Sequence, residues 1–221
     1  MNQMRWVLVL LAGSLVAVAC GSDQSSTPLS SARIRESAVQ IAATGCRAFE
    51  VRGAGMMVGD GRVATVAHVV AGATKVEVRG AHGTADATIV YFDPILDVAV
   101  LKVDPRLAPP IPIGTAAKGD HGTVFVYRDD APVEKAAEVQ RVVDIRTADI
   151  YGAGKHLRPG YELHLDIREG DSGAVVVVGD KAVALVWATS NQTENRAWAM
   201  KTSLVDDHLS ASAAVDNGQC T

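Results

Sequence analysis

The pattern of apolar and polar positions changes character at Gly45. Before it, residues 30–44 carry Ile34, Ala38 and Ile41 at three- and four-residue intervals, the spacing of a short amphipathic helix. Such a helix is expected to pack on the surface of whatever follows. After Gly45 the chain runs in short β-rich segments at 47–52, 54–58, 62–67, 74–79, 84–92 and 97–103, with Gly59-Asp60-Gly61 as a turn. Six such runs suggest a small antiparallel barrel. Residues 107–122, with Pro109, Pro110 and Pro112, read as a link. A second series then occupies 123–127, 138–146, 161–167, 174–178, 182–188 and 197–202, with Gly179-Asp180 as a hairpin turn. Ser203 to Asp206 resembles a helix N-terminus, which predicts a short C-terminal helix over 203–214.

The first residues belong to a different class. Arg5 supplies a positive start, 6–16 an apolar run, and Ala17-Val18-Ala19 a small-residue cleavage site, so 1–19 read as an export signal. The run is short for a membrane span. Cys20 follows at once, then a Gly/Ser-rich tether over 20–30. That junction resembles a bacterial lipoprotein, with Ala17 where the lipid-attachment motif usually has leucine. Ala-Val-Ala equally suits ordinary signal peptidase, which would leave Cys20 as a spare thiol.

The cysteine count bears on this. Three cysteines are present, Cys20, Cys46 and Cys220, and an odd number in an oxidising compartment needs an explanation. Lipidation of Cys20 supplies one and leaves Cys46 and Cys220 to pair, tying the start of the folded region to its end. No Cys/His cluster has zinc spacing, so neither a metal nor another cofactor is expected. A net charge of −4 with no basic run gives no sign of a nucleic-acid partner. Roughly 190 residues after the tether suffice for one large or two small packed units.

Candidate chemistry sits late in the chain, at Gly170-Asp171-Ser172-Gly173. A serine hydroxyl attacks carbonyls only with a base and an oxyanion cradle nearby. Flanking glycines permit a tight turn whose amides converge, here those of Gly170 and Ser172. A base is offered by Thr65-Val66-Ala67-His68, and a carboxylate by Asp97, which opens an alternating Val98, Val100 run. Asp93 competes with Asp97, but Asp93-Pro94 reads as turn chemistry. The order is His, Asp, Ser.

These motifs together resemble the trypsin-like (chymotrypsin-fold) serine peptidases, over roughly residues 45–210. The resemblance implies an all-β domain over 31–221, built as two six-stranded antiparallel barrels at about 45–107 and 120–203 with a short C-terminal helix. It implies His68 and Asp97 from the first barrel and Ser172 from the second, acting as a catalytic triad in the cleft between them. Asp171 is then a structural or activation-related group, with its backbone beside those of Gly170 and Ser172 in the oxyanion hole. Val186-Trp187-Ala188 would pair with the substrate backbone, and Asp166, six residues before Ser172, stands where trypsin itself has the carboxylate that selects basic residues. Arg146-Thr147-Ala148-Asp149-Ile150-Tyr151-Gly152, with Cys46 and Cys220, is similar to the soluble domain of the actinobacterial acid-resistance serine proteases.

Departures from the pattern are visible too. Ala174 and Val175 follow Ser172-Gly173 where glycine and proline are usual, and a methyl at Ala174 demands an ordinary negative φ. Ala54 stands where a small hydroxyl residue is common. Val186 stands where the family often has a serine supporting the triad aspartate. The sequence therefore leads to an exported serine endopeptidase, monomeric, acting on a peptide or protein substrate. Its expected place is the cell envelope, lipid-anchored to the outer face of the membrane through Cys20 or else secreted. The competing expectation is a catalytically weak relative that binds extended peptides in the same cleft.

Overall fold

Ser30 caps the first element: its Oγ accepts the Arg33 N–H at 3.2 Å, and helix α1 runs over Ser31–Ser37. This is a computed structural model in which residues 29–221 are described; the expected export signal at 1–19, Cys20 and most of the expected tether lie outside them. The helix ends sooner than expected. Ala38–Thr44 is strand β1, with Val39, Ile41 and Ala43 buried and Gln40 and Ala42 only partly so. The helical spacing of Ile34, Ala38 and Ile41 overlaps a period-two alternation, and partners on both sides decide for the strand. β1 is the first strand of barrel one.

The remaining strands of that barrel are β2 (Val51–Gly59), β3 (Arg62–Thr65), β4 (Lys75–Gly80), β5 (Gly83–Asp93) and β6 (Val98–Lys102). The runs expected at 47–52 and 54–58 are thus largely one strand, preceded by bends around Cys46. Barrel two holds β7 (His121–Arg128), β8 (Ala131–Thr147), β9 (His156–His164), β10 (Val175–Val178), β11 (Lys181–Thr189) and β12 (Arg196–Lys201). Both barrels close, in the orders β1-β2-β3-β6-β5-β4 and β10-β11-β12-β9-β8-β7. Shifted by six strands and read in the opposite sense, the second order is the first. Every pairing between these twelve strands is antiparallel.

Valine and alanine fill the barrels. Val39, Ile41, Met56, Val63 and Leu101 are fully buried in the first, and Val124, Val126, Leu163, Val176 and Ala184 in the second. The link between barrels is pinned to both, since Ile111 N–H donates to Met57 O (3.0 Å) and Ala182 N–H to Pro112 O (2.9 Å).

The expected C-terminal helix over 203–214 is a 3-10 helix over Thr202–His208. Beyond it the chain crosses barrel one in extended form. Val215 N–H donates to Ile89 O (3.0 Å), and Asn217 Nδ2 donates to Val70 O (2.8 Å) and Ala73 O (3.0 Å). Cys220 is then disulfide-bonded to Cys46, with their Cα atoms 5.5 Å apart.

Candidate active site

His68 lies on α2, a single helical turn (Ala67–Val70) directly after β3. Ala67, Val69 and Val70 are buried around it, which fixes the turn, while the imidazole is 29% exposed. Asp97 stands immediately before β6 and is 2% exposed. Its carboxylate is met by two groups of one residue. The His68 backbone N–H donates to Oδ1 at 2.9 Å, and ring Nδ1 lies 2.9 Å from Oδ2 and 3.1 Å from Oδ1. A carboxylate only accepts, so the proton of a neutral imidazole sits on Nδ1. Nε2 is left with a lone pair, as a base requires.

Asp97 occupies the left-handed region, at φ 59°. Such a conformation is costly for a residue with a Cβ and persists only where its surroundings enforce it. Asp93 Oδ1 accepts the N–H groups of Ile95 and Leu96, both at 2.8 Å, so Asp93 is the turn former the sequence suggested. Arg158, on β9, holds the same turn from the other side. Its Nε donates to Ile95 O (2.7 Å), Nη2 to Ala148 O (2.9 Å) and Nη1 to Asp97 Oδ2 (3.4 Å). The guanidinium is buried and lies 4.9 Å from the centroid of the Trp187 ring. Burial pushes Arg158 below the usual arginine range, and the charges of Asp97, Asp149 and Asp93 pull it back. Val186, buried and apolar, gives the carboxylate no donor.

On the barrel-two side, Gly170 (φ 91°) and Gly173 (φ 85°) carry the left-handed corners of the turn around Ser172. Ser172 O accepts the Ala54 N–H at 2.8 Å, while Gly173 N–H donates to Val186 O at 2.8 Å. The Ser172 turn is therefore sewn to β2 of the other barrel. Gly53 is required there: a Cβ on it would come 2.7 Å from Val69 Cγ2 and 3.0 Å from Ser172 O. Since Val69 adjoins His68, Ser172 and His68 are brought into the same seam. Ala54 makes its hydrogen bonds through backbone, so the missing hydroxyl removes none of them. Ala174 is buried at negative φ, because Gly173 takes the unusual backbone.

Asp171 corrects one expectation. Its N–H donates to Arg168 O (3.1 Å), so it is not free to meet an oxyanion. Its side chain has a different task. The carboxylate, wholly buried, is gripped by Arg128 through both oxygens and also accepts the Arg168 N–H at 2.9 Å. Arg128 is raised above its ordinary range by that hydrogen bond, against the opposing effect of burial.

Asp166 lies at the surface. Its side chain is 72% exposed and is taken up by Lys135, whose hydrogen bond and charge hold the carboxyl below the usual range. No free, buried carboxylate stands at that position to receive a basic side chain. Val186, Trp187 and Ala188 do lie on β11, with Trp187 at a bulge between the pairs Val186–Ala199 and Ala188–Trp198. The β10 ladder ends at Val175–Leu185, so Trp187 and Ala188 extend past it. Trp187, His68, Asp97, Ile150 and Arg158 line a cleft of about 250 Å³. Among the described residues no group of three or more His, Cys, Asp or Glu could hold a metal ion, and no helix is long and apolar enough to cross a membrane.

Arg158 and Arg128 escaped the sequence reading. In His156-Leu157-Arg158-Pro159-Gly160 the apolar Leu157 is 53% exposed and Arg158 buried, the reverse of what alternation suggests.

Paired barrels with this seam define the chymotrypsin-like fold, and the chain belongs to the trypsin-like peptidase domain family, whose sequence pattern matches residues 53–185. A curated relative, serine protease Rv3671c of Mycobacterium tuberculosis, is 34% identical over 133 residues, 58% of this chain and 33% of that protein. The chain therefore aligns with about a third of the length of its curated relatives. The crystal structure of the active form of the M. tuberculosis Rv3671c protease is similar at a TM-score of 0.78 with 28% identity, covering 86% of this chain and 87% of that one. Its inactive form gives 0.68 with 27% identity, over 80% and 89%.

Proposed function

We propose that this chain is an exported serine endopeptidase acting through His68, Asp97 and Ser172. The observation that carries the reading is the His68–Asp97 pair, with ring Nδ1 on the carboxylate, in the seam where β2 binds the Ser172 peptide. Nε2 takes the proton of the Ser172 hydroxyl as its oxygen attacks the scissile carbonyl. Asp97 keeps the imidazole in the right tautomer and stabilises the imidazolium that forms. The carbonyl oxygen becomes an oxyanion held by the amides of Gly170 and Ser172. Collapse expels the amine, protonated by His68, and leaves an acyl-enzyme on Ser172. Water, deprotonated by the same imidazole, then releases the acid.

An extended peptide is bound by adding a strand at Trp187–Ala188, where the β11 backbone outruns β10. With Asp166 paired to Lys135, selection at the residue before the cut does not favour lysine or arginine. Export through residues 1–19 is supported by the Cys46–Cys220 disulfide, which suits an oxidising compartment. Cys20 anchors the mature protein by lipid to the outer membrane face. All proposed catalytic groups come from one chain, so a monomer suffices.

The test is hydrolysis of a broad peptide library by wild type, Ser172→Ala and His68→Ala. Wild type should exceed either variant by roughly three orders of magnitude or more. If wild type is no faster than Ser172→Ala, the enzyme reading fails and peptide binding in the cleft replaces it.

A further inference from the structure

Asp97 is a buried carboxylate with three donors: the His68 backbone N–H, the His68 ring and Arg158 Nη1. Arg158 is itself only 2% exposed at its side chain. Two neutral carbonyls, Ile95 O and Ala148 O, fix its guanidinium, so the third contact brings a full positive charge against Asp97 without solvent between them. With both side chains only 2% exposed, the cation acts strongly on the ionisation of its neighbours. The backbone contact matters equally: Ile95 O belongs to the turn that forces Asp97 to φ 59°.

We propose that Arg158 is a positioning residue of the triad, holding the Asp97 turn and, by its charge, keeping His68 unprotonated to lower pH than the Asp97 carboxylate alone would allow. The proposal rests on the peptidase reading above. The sign follows from the charges. An imidazolium at His68 is favoured by the carboxylate of Asp97 and opposed by the Arg158 cation. Removing the cation leaves Asp97 wholly to His68, so the base is protonated at higher pH. The other charged groups facing Arg158 are Asp93, from the turn before β6, and Asp149, from the β8–β9 connection. Both carboxylates are already committed to backbone amides, Asp93 to Ile95 and Leu96 and Asp149 to Tyr151 and Ala153. Trp187, from β11, adds an aromatic face and no charge.

The experiment compares wild type with Arg158→Met, Arg158→Gln and Arg158→Lys. It records kcat and KM across the neutral and acid range and follows the His68 ring by NMR, assigned with His68→Ala. In Arg158→Met and Arg158→Gln the acid limb of kcat/KM should move up by about one pH unit. The loss should fall on kcat, tenfold or so, with KM little changed. Arg158→Lys should restore the acid limb while recovering only part of kcat, since one ammonium replaces three directed donors. The His68 resonance should titrate about one pH unit higher in Arg158→Met. Should Arg158→Met fail to fold, Arg158→Gln against Arg158→Lys makes the same comparison of neutral with charged donors. An acid limb and a His68 titration unmoved by loss of the charge would overturn the proposal while leaving the peptidase reading intact. A wild type without activity would sink the peptidase reading, and the ring titration would still decide whether Arg158 acts on His68.

Discussion

Asp171, one residue before Ser172, has no solvent contact at all, and Arg128 closes on both of its carboxylate oxygens. The pair joins β7 to the Ser172 turn from within the chain. Arg128→Ala should leave a buried, uncompensated charge, a loss of about 3–5 kcal/mol. Urea denaturation should detect it. Asp171→Asn in the Arg128→Ala background should recover much of that loss, because the amide oxygen can still accept the Arg168 N–H.

Ala174 is the residue that departs most visibly from the family pattern, and Gly173 relieves it by carrying the φ of 85°. Ala174→Gly should therefore give no gain in activity. Steady-state kinetics should place kcat/KM within about fivefold of wild type, under ~1 kcal/mol. Stability should fall by up to about 1 kcal/mol through backbone entropy.

The Cys46–Cys220 bond spans 174 residues of sequence. On the chain-entropy account, Cys46→Ser/Cys220→Ser should cost up to about 4–5 kcal/mol in chemical denaturation. Peptide mapping without reductant should recover the two cysteines in one crosslinked pair.

Tyr91 stacks on His208 at 3.5 Å between ring centroids and donates to Asp93 Oδ2 at 3.3 Å. Burial, then the Asp93 charge and hydrogen bond, push its phenol up to about 12 from 10. A folded-state pKa above the unfolded one means the stabilisation is whole below pH 10 and is lost as pH rises from 10 towards 12. Tyr127 is also raised, chiefly by burial. Alkaline titration of phenolate absorbance should show these tyrosines ionising late, and Tyr91→Phe should flatten part of the fall in stability over that interval.

The His68–Asp97 contact and the tight turn at Ser172 were legible because each residue sits in a short local motif whose neighbours set its backbone: the buried turn Ala67–Val70, the strand opening at Val98, and the two glycines about Ser172. Strand β1 was not, since its inward residues fit both a helical and a two-residue repeat, and pairing with β2 and β4 makes the choice. Arg158 and Arg128 meet their carboxylates across 61 and 43 residues of sequence, a relationship no periodicity encodes. The partner of Asp166 is hidden for the same reason: Lys135, which takes up its carboxylate, lies 31 residues away.

The central claim is that Ser172 is a nucleophile activated by His68, and a fluorophosphonate reports on that directly by forming a covalent adduct with an activated serine. Intact-mass measurement followed by peptide mapping should find a single adduct on Ser172 in wild type, none in Ser172→Ala, and labelling slowed by roughly three orders of magnitude in His68→Ala. Folded wild-type protein that takes no label, or takes it on another residue, would contradict the account.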